Sequence, residues 1–315
     1  MGYITTFCSM VFYFSASAQQ SEFYYDYNWK ICTPENARFY STVKKTDSGW
    51  LRNDYFIAGI KPQMQAIYED SACKIQNGIC KYYSANGYPS SIGKRVHNKR
   101  EGVCVSYYSN GMMSDSAFYH NDVPAGNRFM WHRNGYLSDS IAHVNDSMDV
   151  HIAWFDDGGI AFAGYLLRNK MHGKWKFYHH NGNISAEETY DKGTAQSKVY
   201  YNEDGTNETD TLKANREVSF KKGGIPAWRK YLVKSLYWPP GYKLTNSNLV
   251  TVGIDFIINE EGKIENVEVA IPFYPQFDNI AVKIISSSPQ WEPAIEHNRK
   301  VKSIFRQPVT FQQDE

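Results

Sequence analysis

The chain has 315 residues, and its 34 Lys and Arg nearly balance its 33 Asp and Glu, giving a formal net charge of +1 at pH 7. That balance gives no overall electrostatic footprint for binding nucleic acid. The length is ample for two domains. Aromatic residues make up 16% of the chain, with 24 tyrosines against 8 tryptophans, and this composition favours a β-rich protein over a helical one.

The first residues predict export. Residues 4–14 form a short, largely apolar run, and Ala16, Ser17 and Ala18 then offer a small-residue cleavage site. The run is too short for a membrane helix, so we interpret residues 1–18 as a secretory signal peptide. The protein is then expected in the periplasm or outer envelope. No later stretch reaches the ~18 apolar residues of a membrane span.

Residues 63–213 repeat themselves. An Asn-Gly or Asp-Gly pair recurs at glycines 87, 111, 135, 158, 182 and 205, at intervals of 24, 24, 23, 24 and 23 residues. A fixed period of this size indicates a repeat architecture, and the two dipeptides favour type I′ hairpin turns. We predict a long antiparallel β-meander of about six hairpin repeats of 23–24 residues. Residues 19–62 would form its N-terminal cap, because terminal units of such arrays are atypical.

Each repeat also carries an aromatic ring four residues before its glycine, which we interpret as packing between neighbouring hairpins. The rings of Tyr82, Phe177 and Tyr200 are predicted to point to the opposite face, since side chains alternate along a strand. If exposed, these three would form an aromatic surface for protein or glycan. The skeleton of glycine, aromatic ring and Asn-Gly resembles the MORN-repeat variant family, which implies a generic binding or spacer module.

Four cysteines follow the predicted signal peptide, and an even number in an exported protein is compatible with disulfides. Cys80 and Cys104 occupy the same position of successive repeats, roughly 10 Å apart across two strand spacings. That separation exceeds the reach of a disulfide. Cys73 and Cys80 flank a turn and are the predicted pair, and Cys32 completes the set.

The sequence offers little that points to catalysis. His172, His179 and His180 gather around one repeat, but adjacent residues on a strand face opposite ways, so we expect exposed or edge-packed histidines and no metal site. The chain has no Gly-x-Ser-x-Gly elbow, phosphate loop or zinc-protease motif. We predict a protein without enzymatic activity and without a cofactor.

The pattern changes after residues 214–224, which we interpret as a linker into a second domain at 225–315. Helical spacing follows Pro226, alternating apolar residues mark strands at 249–258 and 264–271, and Asp278 is predicted to cap a second helix. A last strand runs from about residue 300 to 311. The order α-β-β-α-β predicts a small α+β domain with helices on one face of an antiparallel sheet.

This second domain resembles the TonB C-terminal domain family over about residues 225–313. The likeness lies in Gly262 with its flanking apolar residues, in the Pro-x-Trp-x-Pro-Ala run around Trp291, and in the final Pro308-Val309-x-Phe311. The family docks outer-membrane transporters, whose short box peptide adds a strand beside the domain's last strand. The resemblance implies that the partner-binding residues are Ile304, Phe305, Gln307, Val309 and Phe311.

The leading hypothesis is therefore a non-enzymatic periplasmic or envelope protein that binds protein partners, transporters among them, by β-strand addition. It predicts that Val309→Pro abolishes capture and leaves the fold largely intact. One alternative is a cell-surface or carbohydrate-binding repeat module with the C-terminal domain as a structural adaptor. The other is a membrane-anchored energy transducer of TonB type, which requires an uncleaved N-terminus.

Overall fold

The computed structural model describes residues 20–313, except for 27, 58, 146, 221–222 and 245–247. The predicted signal peptide lies outside the described residues. None of the described helices is long and apolar enough to cross a membrane.

Sixteen strands form one sheet in which each strand pairs antiparallel with the next along the chain, so the predicted meander is confirmed. A 3₁₀ turn, Pro34–Asn36, follows the first strand. The strands are β1 Ser21–Tyr25, β2 Phe39–Thr46, β3 Gly49–Phe56, β4 Lys61–Tyr68, β5 Gln76–Tyr83, β6 Pro89–Val96, β7 Lys99–Tyr107, β8 Met113–His120, β9 Val123–Trp131, β10 Leu137–Asn145, β11 Met148–Trp154, β12 Ile160–Leu167, β13 Lys170–Tyr178, β14 Ile184–Asp191, β15 Thr194–Tyr201 and β16 Asn207–Glu208.

The turns at the two ends of the strands differ, and the predicted type I′ turn at Asn-Gly is wrong. At Asn86-Gly87 only the glycine has positive φ (94°), and its N–H donates to the Ser84 carbonyl at 2.8 Å. This is a type I turn closed by a glycine bulge. The two-residue turns with positive φ at both positions lie at the opposite ends of the strands, for example at His97-Asn98 (48° and 70°).

The asparagine of each Asn-Gly pair has a different role, which is to join successive turns. The Asn86 side-chain amide donates to the Ser109 carbonyl at 2.8 Å, and Asn110 donates to Arg133 at 3.0 Å. Asn134 and Asn181 make the equivalent bonds. These bonds fix the spacing of the turns, and they align the turn residues in one row along the same end of the strands.

The C-terminal domain contains two helices and a three-stranded antiparallel sheet of order β19-β18-β23, as the predicted α-β-β-α-β order requires. Three short strands precede the last strand, which begins at Ser303, later than predicted. The elements are β17 Ser219–Phe220, α1 Gly224–Ser235, β18 Leu249–Ile258, β19 Ile264–Ile271, α2 Pro275–Ser286, β20 Trp291–Glu292, β21 Ala294–Glu296, β22 Arg299–Val301 and β23 Ser303–Gln312.

The core of this domain lies between the sheet and the two helices. Alternate residues of β18, from Val250 to Ile258, are fully buried against Trp228, Phe277 and Phe311. Helix α2 begins at Pro275, so Asp278 lies in its first turn and is not its cap. The Asp278 carboxylate accepts from the Phe273 N–H at 2.7 Å, which ties the incoming loop to the helix.

Candidate functional site

The last strand, β23, has one open edge. It pairs along its whole length with β18, from Leu249↔Gln312 to Ile258↔Ser303, without a break in register. Its other edge pairs with no strand in the described part of the chain. A free strand edge presents backbone donors and acceptors to any extended segment that approaches it.

The register shows which backbone groups the open edge presents. The Gln313 N–H donates to the Asn248 carbonyl at 2.8 Å, and hydrogen-bonded and non-bonded pairs alternate in an antiparallel ladder. Residues 303, 305, 307, 309 and 311 therefore bond to β18. Residues 304, 306, 308, 310 and 312 point their backbone groups outward. Proline at position 308 fits this alternation. Its backbone nitrogen points away from β18, so the missing N–H removes no hydrogen bond between β23 and β18.

The five residues predicted to bind a partner do not form one surface. Ile304 is 81% exposed and faces solvent, whereas Val309 and Phe311 are 1% and 2% exposed and pack in the core. Phe305 and Gln307 are half-buried at the helix side of the edge. The expectation that Val309→Pro leaves the fold intact is wrong, because the Val309 N–H faces β18.

Side chains hold the open strand firmly to its neighbours. Arg306 makes a two-pronged contact with Asp255, at 2.6 and 2.7 Å. The hydroxyls of Thr310 and Thr251 lie 3.0 Å apart. On the helix side, the Trp228 indole N–H donates to Gln307 Oε1 at 2.8 Å. The strand is thus ordered before any partner arrives.

The opposite edge of the small sheet lies beside the repeat sheet. The Glu268 carboxylate on β19 binds Arg133 and the Ser109 hydroxyl. Nearby, His180 lies 3.0 Å from Glu260, and Lys302 bonds to Asp156 at 2.7 Å. The four repeat residues each stand directly before the Asn-Gly or Asp-Gly of successive repeats. The turn row therefore contacts β19, the turn that precedes it and Lys302, and none of these contacts involves a residue of β23.

A tight turn between β21 and β22 fastens the two domains together. The His297 ring stacks on Phe177 with centroids 3.5 Å apart and planes 9° apart. His297 Nδ1 lies 2.8 Å from Glu188, whose side chain is fully buried. Burial raises the pKa of Glu188, but hydrogen bonds from His297 and Tyr190 outweigh it, so that its pKa is lowered. Glu188 is therefore ionised at neutral pH.

Arg299 on β22 continues this contact. Its guanidinium donates to the Ala161 carbonyl at 2.7 Å and to the Tyr178 carbonyl at 2.9 Å. Burial lowers the pKa of Arg299 to about 10, which leaves it charged at neutral pH. The C-terminal domain thus places a buried cation among carbonyls of the repeat sheet, which adds a second contact between the two domains.

The predicted aromatic surface is not exposed. Phe177 and Tyr200 are 3% and 4% exposed, because the C-terminal domain covers Phe177 and the Asn215 amide donates to the Tyr200 hydroxyl at 3.0 Å. Tyr82 is half-buried and accepts from Gln76 at 3.2 Å. The requirement that these rings be exposed, on which the glycan hypothesis rested, is not met.

The cysteines and histidines make structural contacts. Cys73 and Cys80 are free thiols, so the predicted disulfide is not formed. Cys80 and Cys104 instead line a cleft of about 150 Å³ in the early repeats. His179 is buried and lies 2.9 Å from the Tyr201 carbonyl. No group of three or more metal-ligating side chains occurs in the described ranges.

Two interdomain residues escaped the sequence reasoning. Glu188 lies six residues after a repeat glycine, where earlier repeats place Gly93, Ala117, Ile141 and Gly164. The available signal for Glu188 was a carboxylate at a repeat position that is otherwise occupied by small or apolar residues. Arg38, by contrast, packs over the rings of Phe273 and Tyr274 in the C-terminal domain, at 5.6 and 4.8 Å, and nothing in its local sequence marks it.

Comparison with known families agrees with both resemblances. Residues 250–312 match the family described as Gram-negative bacterial TonB protein C-terminal, and residues 171–192 match the MORN repeat variant. A search of curated proteins found no match. A TonB-like domain thus follows MORN-type repeats in this chain. The TonB C-terminal family is an envelope-associated domain of energy transduction and protein interaction, not an enzyme family.

Proposed function

We propose that this protein works in the cell envelope as a non-enzymatic binding module that captures an extended segment of a partner protein on the open edge of β23. The observation that carries the proposal is the set of outward backbone groups of residues 304, 306, 310 and 312, which no described strand pairs and which lie within the stretch that matches the TonB C-terminal family. The segment of an outer-membrane transporter is the partner that this family favours.

The surroundings of β23 support this role. Strand addition draws its affinity from main-chain hydrogen bonds, and Ile304, Arg306, Thr310 and Gln312 offer outward N–H groups for them. The edge is held straight by the contacts with Asp255 and Thr251, which lowers the entropy lost on binding. The repeat sheet contacts the β19 side of the small sheet, whereas the outer edge of β23 pairs with no described strand.

The test compares two changes at one exposed position. Thr310→Pro removes an outward N–H and leaves the ladder to β18 complete, whereas Thr310→Val keeps the N–H and removes only the hydroxyl. The probe is a fluorescein-labelled heptapeptide of alternating Thr and Val, a sequence of high β-propensity. Its binding to the full chain is measured by fluorescence anisotropy.

We expect Thr310→Pro to weaken binding roughly tenfold or more, because one hydrogen bond is lost and a partner carbonyl is left unpaired. Thr310→Val should bind within about twofold of the wild type. Equal binding by the wild type and a folded Thr310→Pro variant would reject strand addition at this edge.

A further inference from the structure

The middle of the open edge is occupied by a residue that cannot donate. Pro308 is exposed, points its backbone outward and has no N–H, so the ladder is interrupted there. Proline on an edge strand is a known protection against indiscriminate pairing between sheets. The donors that remain lie in two short stretches, at Ile304 and Arg306 and at Thr310 and Gln312.

The remaining backbone group at this point is already bonded. The Gln307 side-chain amide donates to the Pro308 carbonyl at 2.7 Å. Its own oxygen accepts from the buried Trp228 indole at 2.8 Å. Since an indole N–H can only donate, Trp228 fixes which end of the Gln307 amide faces the Pro308 carbonyl. Pro308 thus presents no donor, and a partner N–H can use its carbonyl only by sharing the oxygen with the Gln307 amide, since a carbonyl has two lone pairs.

We propose that Gln307 and Pro308 form an edge block that decides which extended segments β23 accepts. This inference rests on the proposed function of the same edge. A partner strand, in either direction, would place one of its own N–H groups against the Pro308 carbonyl, where it shares the oxygen with the Gln307 amide. A shared acceptor gives that N–H a weaker bond than the rest of the ladder provides, so an ordinary strand loses affinity at the centre of the site.

A segment with proline at that position has no N–H that must share the Pro308 carbonyl. The edge block therefore favours an extended partner segment that carries a central proline, with β-forming residues on both sides. It disfavours uninterrupted strands. Gln307 and Pro308 are the specificity-determining residues of this arrangement, and Trp228 positions Gln307.

Two peptides and two substitutions test the edge block. The peptides are Thr-Val-Thr-Val-Thr-Val-Thr and the same sequence with a central Pro in place of Val. Gln307→Glu keeps an acceptor for Trp228 and removes the amide that covers the Pro308 carbonyl. Pro308→Thr restores the missing N–H on the exposed side of the strand. All dissociation constants are measured by anisotropy on the full chain.

We expect the wild type to bind the Pro peptide roughly twofold or more tightly than the all-Val peptide, because only the all-Val peptide brings an N–H group to the Pro308 carbonyl. Gln307→Glu should lower the dissociation constant of the all-Val peptide by roughly two- to twelvefold, which corresponds to one net hydrogen bond. It should leave the dissociation constant of the Pro peptide unchanged. Pro308→Thr should tighten both peptides by a similar factor, because both carry the carbonyl that its N–H meets. The crossed design isolates the one contact from general changes in the strand.

The outcomes separate this inference from the proposal beneath it. If Thr310→Pro does not weaken either peptide, strand addition at β23 is rejected and the edge block with it. If Thr310→Pro weakens both peptides but Gln307→Glu leaves the all-Val peptide unchanged, strand addition stands and the edge block is rejected. A wild type that does not prefer the Pro peptide by about twofold or more would also overturn it.

Discussion

Replacing Glu188 by Gln should loosen the junction between the repeat sheet and the C-terminal domain. The Glu188 carboxylate is fully buried and bonds to His297, to the Tyr190 hydroxyl and, at 3.6 Å, to Lys198. Breaking a buried ion pair typically costs about 3–5 kcal/mol. His297 and Lys198 keep 21% and 39% of their side chains exposed and can turn toward water. We therefore expect the lower end, about 3 kcal/mol.

The neighbouring residue supplies the control. Glu187 lies on the opposite face of the same strand and forms a surface pair with Lys176 at 3.4 Å, so Glu187→Gln should cost no more than about 1 kcal/mol. Urea unfolding of both variants, followed by tryptophan fluorescence, gives the two free energies. Equal losses for Glu187→Gln and Glu188→Gln would refute the reasoning that the buried carboxylate fastens the domains.

The same substitution has a pH signature. The pKa of Glu188 is lowered in the fold from its ordinary value of 4.5, so its stabilising contribution is present above that value and is lost as the pH falls through the lowered pKa. The difference in unfolding free energy between the wild type and Glu188→Gln should shrink in acid. A difference that stays constant from pH 7 to pH 3 would contradict the role of the charge.

Three further changes have outcomes that the structure fixes. Asp157 and Asp204 are the two acids at the position where the other four repeats have the turn-joining asparagine. Asp157→Asn should therefore raise the unfolding free energy by about 1 kcal/mol in urea titration, and a lower unfolding free energy would refute this role. Burial raises the pKa of Asp278 to about 6, so its ionisation opposes folding above pH 6; Asp278→Asn should stabilise the protein at pH 7.5 and lose that advantage near pH 4. Gly262 has φ of 78°, and a Cβ there would lie 1.9 Å from the Trp291 carbonyl oxygen. Gly262→Ala should therefore lower the melting temperature, and a melting temperature equal to that of the wild type would contradict this packing.

Periodicity in the sequence was enough to predict the meander and the order of elements in the second domain. The repeat of Asn-Gly and Asp-Gly reports a local requirement, since one position in each turn needs positive φ. It could not distinguish a type I′ turn from a type I turn with a glycine bulge, because both place glycine there. The distinction depends on the φ of the preceding asparagine, which in turn bonds to the next repeat.

The contacts between the domains could not be predicted in the same way. The burial of Phe177 and Tyr200 depends on what lies above the repeat face, and no local pattern reports that a distant turn at His297 covers it. The parity of β23 also needs the register with β18. The sequence showed that Val309 and Phe311 lie on one face of the strand, but it could not show that this face is the core and that the partner-facing backbone belongs to their neighbours.

Hydrogen exchange of the full chain, with and without the heptapeptide carrying the central proline, tests the central claim most directly. Strand addition at β23 predicts that the amides of Ile304, Arg306, Thr310 and Gln312 gain protection on binding. The inward amides of Phe305, Gln307, Val309 and Phe311 should already be protected in the free protein, because they bond to β18. Binding that protects the cleft around Cys80 and Cys104, and leaves the four outward amides unchanged, would contradict the account.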